Sequence, residues 1–342
     1  MRTLPAALLL LCSAARAEEI RIEIARGAEK VRVEAAGRTH AVAVRGGQVW
    51  VDGAPGPAEF AGPLQLDGQA LAGRLELFAD KGGLVAVNVV DLEDYVAAVV
   101  ASEVPSGWPA DALRAQAVAA RTFAVAQKIA QGPGARAHLG ASVLDQVYKG
   151  TAHPEPRALS AARDTAGEVL TWGAAPIAAY FSASCGGKSE SAEAAFHLAP
   201  GATPYLRGSE PDDDERAWTR RIPLAEIAAA LRKAGRMKSD IEGLRIASRT
   251  GSGRARTMSL QTPGGARSLA AVELRQMVGY RELPSLLFEV EVEGRDAVFK
   301  GKGSGHGVGL CQWGARGRAL KGEGYRAILA HYYPGAEIRR MY

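Results

Sequence analysis

The sequence predicts an α+β fold of mixed helices and short, mostly antiparallel strands, preceded by a small β-rich N-terminal module. Three observations carry that expectation. Apolar and polar residues alternate near the start of the chain, as short half-buried strands require. From Asp91 to about Ile129 the period becomes helical. Strand-like pieces then return between glycine-rich turns, with further helical stretches among them and no internal repeat.

Residues 1–17 come before any of this. Arg2 gives a positive start, residues 6–15 an apolar stretch, and Ala15-Arg16-Ala17 a small-x-small cleavage site, so a cleaved export signal is expected. The stretch is well short of the roughly 20 residues that span a bilayer. A lipoprotein processed at Cys12 ranks second, because Leu11 is bulky where that processing prefers a small residue. Cleavage after Ala17 removes Arg2, Arg16 and Cys12. The formal charge falls from +5 to +3, and two cysteines remain to meet an oxidising compartment. No other segment is long and apolar enough to span a membrane. The expected product is therefore soluble, and periplasmic or secreted. Its mild charge does not imply nucleic acid.

The elements follow in order. Residues 19–51 alternate through Ile20, Ile22, Ile24, Val31, Val33, Val42, Val44, Val49 and Val51, with Gly27, Gly37 and Gly46-Gly47 as turns. Residues 54–73 are rich in Pro and Gly and read as loops. Strands resume at 74–78 and 83–90, placing a β-rich module at 18–84 and a larger domain at 85–342. Beyond the helical stretch, 168–171 and 178–182 read as strands, 210–216 as a charged, solvated loop, and 224–234 as a helix. Short strands then reach Val298. A glycine-dense loop spans 301–317, and a last helix lies around 325–332.

The first helix holds the most telling residue. Asp91 is a good N-cap, and Asp94 suits the free amides of the first turn. Leu92, Tyr95, Val96, Val99 and Val100 form an apolar stripe. Glu103, four residues past Val99, points along the same stripe, and Pro105 stops the helix just beyond it. A carboxylate on a buried face has a raised pKa, as a general acid near neutral pH requires. Periodicity alone favours a blander reading, a frayed helix end with Glu103 turned to solvent. The next helix starts at Trp108-Pro109 and is nearly all alanine, with Gln116 and Arg121 as mid-helix polar exceptions. Arg121 reads as a snorkelling or ion-paired residue, or as a partner for a carboxylate or bound anion.

Cys185 and Cys311 sit in two small-residue turns, and four readings compete: disulfide, zinc ligands, catalytic thiol and free thiols. Zinc wants about four ligands, and only His306 lies near either cysteine in sequence. A Cys/His nucleophile has no specific pattern here. A disulfide suits export and is favoured. The glycine loop around His306 lacks phosphate-loop order and suggests backbone pressed against a ligand or another segment.

Seven segments, in order, resemble the stage II sporulation protein D / amidase-enhancer family of cell-wall proteins. They are Val90-Asp-Leu-Glu-Asp-Tyr-Val-Ala-Ala-Val-Val-Ala-Ser-Glu-Val-Pro105, Trp108-Pro-Ala-Asp-Ala-Leu-Arg-Ala-Gln-Ala-Val-Ala-Ala-Arg-Thr-Phe123, and Asp145-Gln-Val-Tyr-Lys-Gly150. Ala183-Ser-Cys-Gly-Gly-Lys-Ser-Glu190, Pro204-Tyr-Leu-Arg207, residues 305–315 and Ile328-Leu-Ala-His-Tyr-Tyr-Pro334 complete the set. The resemblance implies binding of peptidoglycan glycan strands and, in competent members, lytic transglycosylase activity with the glutamate of Ser-Glu-x-Pro as the catalytic group, here Glu103. It also implies a non-catalytic alternative, a glycan-binding enhancer of a cell-wall amidase. By the same resemblance Arg121 orients Glu103 or the sugar, and Gln146, Tyr148, Arg207, His306 and Gln312 contribute to the groove. No cofactor is implied for this chain. Some members hold zinc through Cys and His just before Gln-Val-Tyr, but here 141–145 reads Ala-Ser-Val-Leu-Asp, with only His138 near. Cys185 and Cys311 stand where many members have Ser, which fits a bridge between them.

Overall fold

The computed structural model describes residues 18–56, 58–141, 146–150, 155–209, 214 and 216–342. The expected export signal, with Cys12, lies outside the described residues. Its fold is α+β, as the sequence predicts: α-helices and many short strands in mostly antiparallel sheets.

The N-terminal strands form two sheets. Strand Glu19–Ala28 pairs with Gly83–Asp91, followed outward by Arg74–Asp80 and Glu59–Ala61, all antiparallel. Leu139–Gly140 joins the other edge in parallel. The second sheet is antiparallel throughout and centred on Arg38–Arg45 and Lys30–Ala35. Val31, Val33, Val42, Leu75 and Leu77 fill the core between them. Strand Gly83–Asp91 is buried along almost its whole length, which is why its sequence reads as a continuous apolar run. It leads directly into the first helix.

That helix, α1, spans Leu92–Glu103. The Asp91 side chain accepts from the amides of Glu93 at 2.8 Å and Asp94 at 3.2 Å, forming the cap the sequence indicates. Val104, ahead of Pro105, is extended and ends the helix. Helix α2 (Ala110–Gln131) packs its alanines against α1 and α3 (Pro156–Asp164). Tyr95, Val99, Leu113 and Phe123 lie in their shared core.

After α4 (Ala192–Phe196) comes a unit with its own core. Strand Ala217–Pro223 pairs with Asp296–Lys302, and Ala217 lies opposite Lys302, so the chain enters and leaves side by side. Between them run α5 (Leu224–Lys233), a three-stranded antiparallel sheet from Gly243 to Ala270, α6 (Ala271–Val278) and strand Phe288–Glu293. Ile227, Leu231, Met258, Leu274 and Phe299 fill its interior.

The chain then returns to α2. Leu310–Cys311 pairs in parallel with Phe181–Ser182, all that forms of the strand expected at 178–182. The glycine-dense loop ends earlier than expected. Helix α7 (Gln312–Leu320) takes in Gly314 and Gly317, because the Cys311 Sγ accepts the Gly314 amide and caps it. Helix α8 (Tyr325–Tyr332) lies where the sequence predicts one. The expected solvated loop at 210–216 also needs correction. Most of it lies outside the described residues, but Asp214 is buried and hydrogen-bonded by Ser184. Among the described residues no helix is long and apolar enough to cross a membrane.

Candidate active site

Glu103 does not turn away into solvent. It closes α1 half-buried, and its Oε1 accepts the Val147 amide at 2.9 Å while Oε2 accepts the Gln312 Nε2 at 3.2 Å. Burial raises its pKa, and these two donors, which favour the ionised form, only partly oppose that. Gln312 lies at the start of α7, and its Nε2 also approaches the Gln116 Oε1 of α2 at 3.4 Å. Three segments distant in sequence thus converge on one carboxyl. Such a group can give up a proton and, once ionised, keep two donors to steady the charge.

Glu103 opens onto a cavity of about 530 Å³. One wall comes from the helical domain, with Val147, Phe181, Phe196 and His306. The other comes from the inserted unit, with Arg256, Gln276 and Tyr280 among its residues. The units are locked together by polar contacts. Arg254 donates to the Cys185 carbonyl at 2.7 Å and the Lys188 carbonyl at 3.0 Å. The Glu190 carboxylate accepts from the hydroxyls of Thr250 and Ser252. Close approach explains the glycines here: a Cβ on Gly307 would lie 2.1 Å from the Arg254 guanidinium, and Gly307 has a φ of +75°.

The other expected site residues divide. His306 lines the cavity between Tyr180 and Phe196. Its Nδ1 accepts the Val308 amide at 3.0 Å, and burial followed by the charge of Arg275 lowers its pKa to about 4. It is therefore a neutral ring that fixes the loop. Arg121 does not meet Glu103. It is wholly buried and paired with Glu93 at 2.8 and 2.5 Å, at the opposite end of α1, roughly 15 Å away along the helix axis. Its other donors reach the carbonyls of Ala162 and Glu168. Gln146 and Tyr148 also point into the core rather than the cavity. Tyr95 donates to the Gln146 Oε1 at 2.6 Å, and Tyr148 donates to the Asn88 Oδ1 at 2.6 Å. Between these two anchors the amide of Val147 is presented to Glu103. Arg207 is exposed and is not among the cavity-lining residues. Residues 142–145, relevant to a zinc site, lie outside the described residues; nearby His138 is buried, its Nδ1 accepting the Arg21 amide.

Comparison with known proteins now bears on this geometry. The sequence pattern of a family described as "Stage II sporulation protein" matches residues 80–172, which contain Glu103. Stage II sporulation protein D of Bacillus amyloliquefaciens is 31% identical over 74% of this chain and 75% of its own length. The chain belongs to the stage II sporulation protein D and amidase enhancer family. The amidase enhancer of Bacillus subtilis is 26% identical over 70% of this chain and 39% of its own length. An uncharacterized protein of Brachyspira hyodysenteriae is 32% identical over 80% of this chain and 73% of its own. A second pattern, described as a domain of unknown function (DUF8618), matches 208–309, the region of the inserted unit.

In this family member the two cysteines lie side by side, both buried, as free thiols with no bond between them in the structure. The Cys185 amide donates to the Cys311 Sγ at 3.1 Å, and Cys311 donates to the Asp214 Oδ2 at 3.3 Å. The Cys311 thiol is pushed well up, first by its hydrogen bond with Cys185 and then by burial. A thiol so disposed is a poor nucleophile. Asp214, a buried carboxylate beside the pair, has no counterpart in the sequence reading.

Proposed function

We propose that the chain is an exported peptidoglycan lytic transglycosylase that cleaves between N-acetylmuramic acid and N-acetylglucosamine, with Glu103 as both acid and base. The observation that carries this reading is the Glu103 carboxyl: half-buried, raised in pKa, held by two donors, and open to a cavity large enough for sugar rings. Protonated Glu103 donates to the glycosidic oxygen as the bond from C1 of the muramic residue breaks, and the electron pair leaves with that oxygen. The carboxylate then takes the proton of the muramic C6 hydroxyl, whose oxygen closes on C1. The products are a free N-acetylglucosamine hydroxyl and a 1,6-anhydromuramic end. Water is not consumed, so a second working carboxylate is unnecessary. Glu190, the other cavity carboxylate, is already occupied by the Thr250 and Ser252 hydroxyls and the Ser191 amide.

A second reading, a non-catalytic glycan-binding partner of a cell-wall amidase, is favoured by the likeness to an amidase enhancer. Digestion of purified glycan strands separates the two. The enzyme yields anhydromuramic ends detectable by mass spectrometry, and Glu103→Gln reduces them by about 10²–10⁴-fold. Absence of such ends with the unaltered chain favours the binding protein.

A further inference from the structure

Three arginines line the cavity, and they are not equivalent. Arg254 is buried, with its two terminal nitrogens committed to the Cys185 and Lys188 carbonyls and the Ser252 hydroxyl and its Nε enclosed without a partner among the described residues. Arg275 is also buried. It donates to the carbonyls of Leu283 and Pro284, and its guanidinium lies 4.7 Å from the centre of the Tyr280 ring. Arg256, on strand Ala255–Thr262, is exposed and has no hydrogen bond or ion pair among the described residues.

The cavity carboxylates answer this charge only in part: Glu190 faces Arg254. Glu190 is taken up by hydroxyls, and burial disfavours the ionised form of Glu103. Among the described residues the cleft therefore carries three arginines against one such carboxylate, between low-dielectric walls, a setting that concentrates anions. Among the described cavity residues, only Arg256 has its fork of donors both exposed and free for one. On the same wall of the cavity, the Tyr280 ring, with the Arg275 guanidinium over it, is still 39% exposed.

We propose that Arg256, on the cavity wall that also carries Tyr280, is a subsite on the inserted unit for a carboxylate borne by the glycan strand. The inserted unit thereby acquires a role as the wall that reads the charge of the strand. The inference rests on the glycan reading of this cleft. Two carboxylates share the chemistry: the lactyl group of a peptide-free muramic residue and the acidic groups of a stem peptide. An arginine fork takes either in two parallel hydrogen bonds, which a lysine cannot reproduce.

Binding measured by calorimetry tests this, using the full chain with Glu103→Gln so that strands stay uncut. The probes are peptide-free strands, peptide-bearing strands, and peptide-free strands whose carboxylates have been converted to neutral amides. Adding Arg256→Gln is expected to weaken binding to at least one acidic probe about tenfold, while leaving the neutral strand unchanged. Arg256→Lys should fall between. The acidic probe that responds identifies the source of the carboxylate. Equal binding of parent and Arg256→Gln to all three probes overturns the subsite alone, and so does an equal loss on the neutral strand. If the parent binds none of the probes, the glycan reading falls and the subsite with it.

Discussion

Gln312 and Val147 hold the two oxygens of Glu103 by different means, one with a side chain and one with a main-chain amide. The amide of Gln312 steadies the ionised form and so draws the pKa down against the effect of burial. Replacing Gln312 with Leu removes that donor and raises the pKa of Glu103 further. The alkaline limb of the pH–rate profile, where the acid loses its proton, should move to higher pH, while kcat falls because the ionised state is less well supported. An unmoved limb would show that Gln312 does not act on Glu103. The apolar stripe alone favoured a solvent-facing Glu103; its role, like that of Gln312, was expected from the family resemblance. Val147 was not, because a main-chain donor carries no residue-type signature. Gln146 and Tyr148 drew attention instead, and they serve as the anchors on either side of it.

Helix α1 is held at both ends, and the ends do different things. At its start Glu93 pairs with the buried Arg121, while its far end carries Glu103. Burial alone would raise the pKa of Glu93, but the hydrogen bonds and charge of Arg121, with help from Tyr342 and the Gly167 amide, bring it below its usual value of 4.5. A carboxylate depressed on folding contributes stability that is fully present above that value and lost as pH falls below it. Arg121→Met leaves Glu93 without its countercharge and should cost about 3–5 kcal/mol in denaturant unfolding at neutral pH. The acid-limb loss due to this pair should shrink with it. A variant as stable as the parent would contradict the structural role. Sequence spacing marked Arg121 as unusual but could not choose its partner, since both ends of α1 offer a glutamate. The turns carrying Cys185 and Cys311 form a second such joint, next to Gln312. In an oxidising compartment the adjacent thiols are expected to link, so non-reduced peptide mapping of exported protein should recover a Cys185–Cys311 cross-linked peptide. Recovery of two free thiols would refute the pairing.

At the scale of the molecule, the cleft exists because the inserted unit folds back on the helical domain. Its strands are short, and Ala217–Pro223 alternates exposed Ala217, Thr219 and Arg221 with half-buried or buried residues. Local periodicity suggested pieces of strand, but the decisive pairing of Ala217 with Lys302 is a long-range contact that no local pattern encodes. Arg254 is the principal tie between the units, bridging two carbonyls of the turn around Cys185 while facing the buried Glu190. Arg254→Ala leaves those groups unsatisfied and should cost about 3–5 kcal/mol. Hydrogen exchange should then rise across residues 243–270 before it rises in α2. Uniform exchange through both units would contradict a separately docked insert. The cleft so formed presents the Glu103 carboxyl, whose proposed chemistry consumes no water. The most direct measurement is digestion of glycan strands in heavy-oxygen water, followed by mass spectrometry of the new ends. The account predicts unlabelled anhydromuramic ends from the unaltered chain and almost none from Glu103→Gln. Heavy-oxygen-labelled reducing ends, or anhydro ends undiminished in the variant, would contradict it.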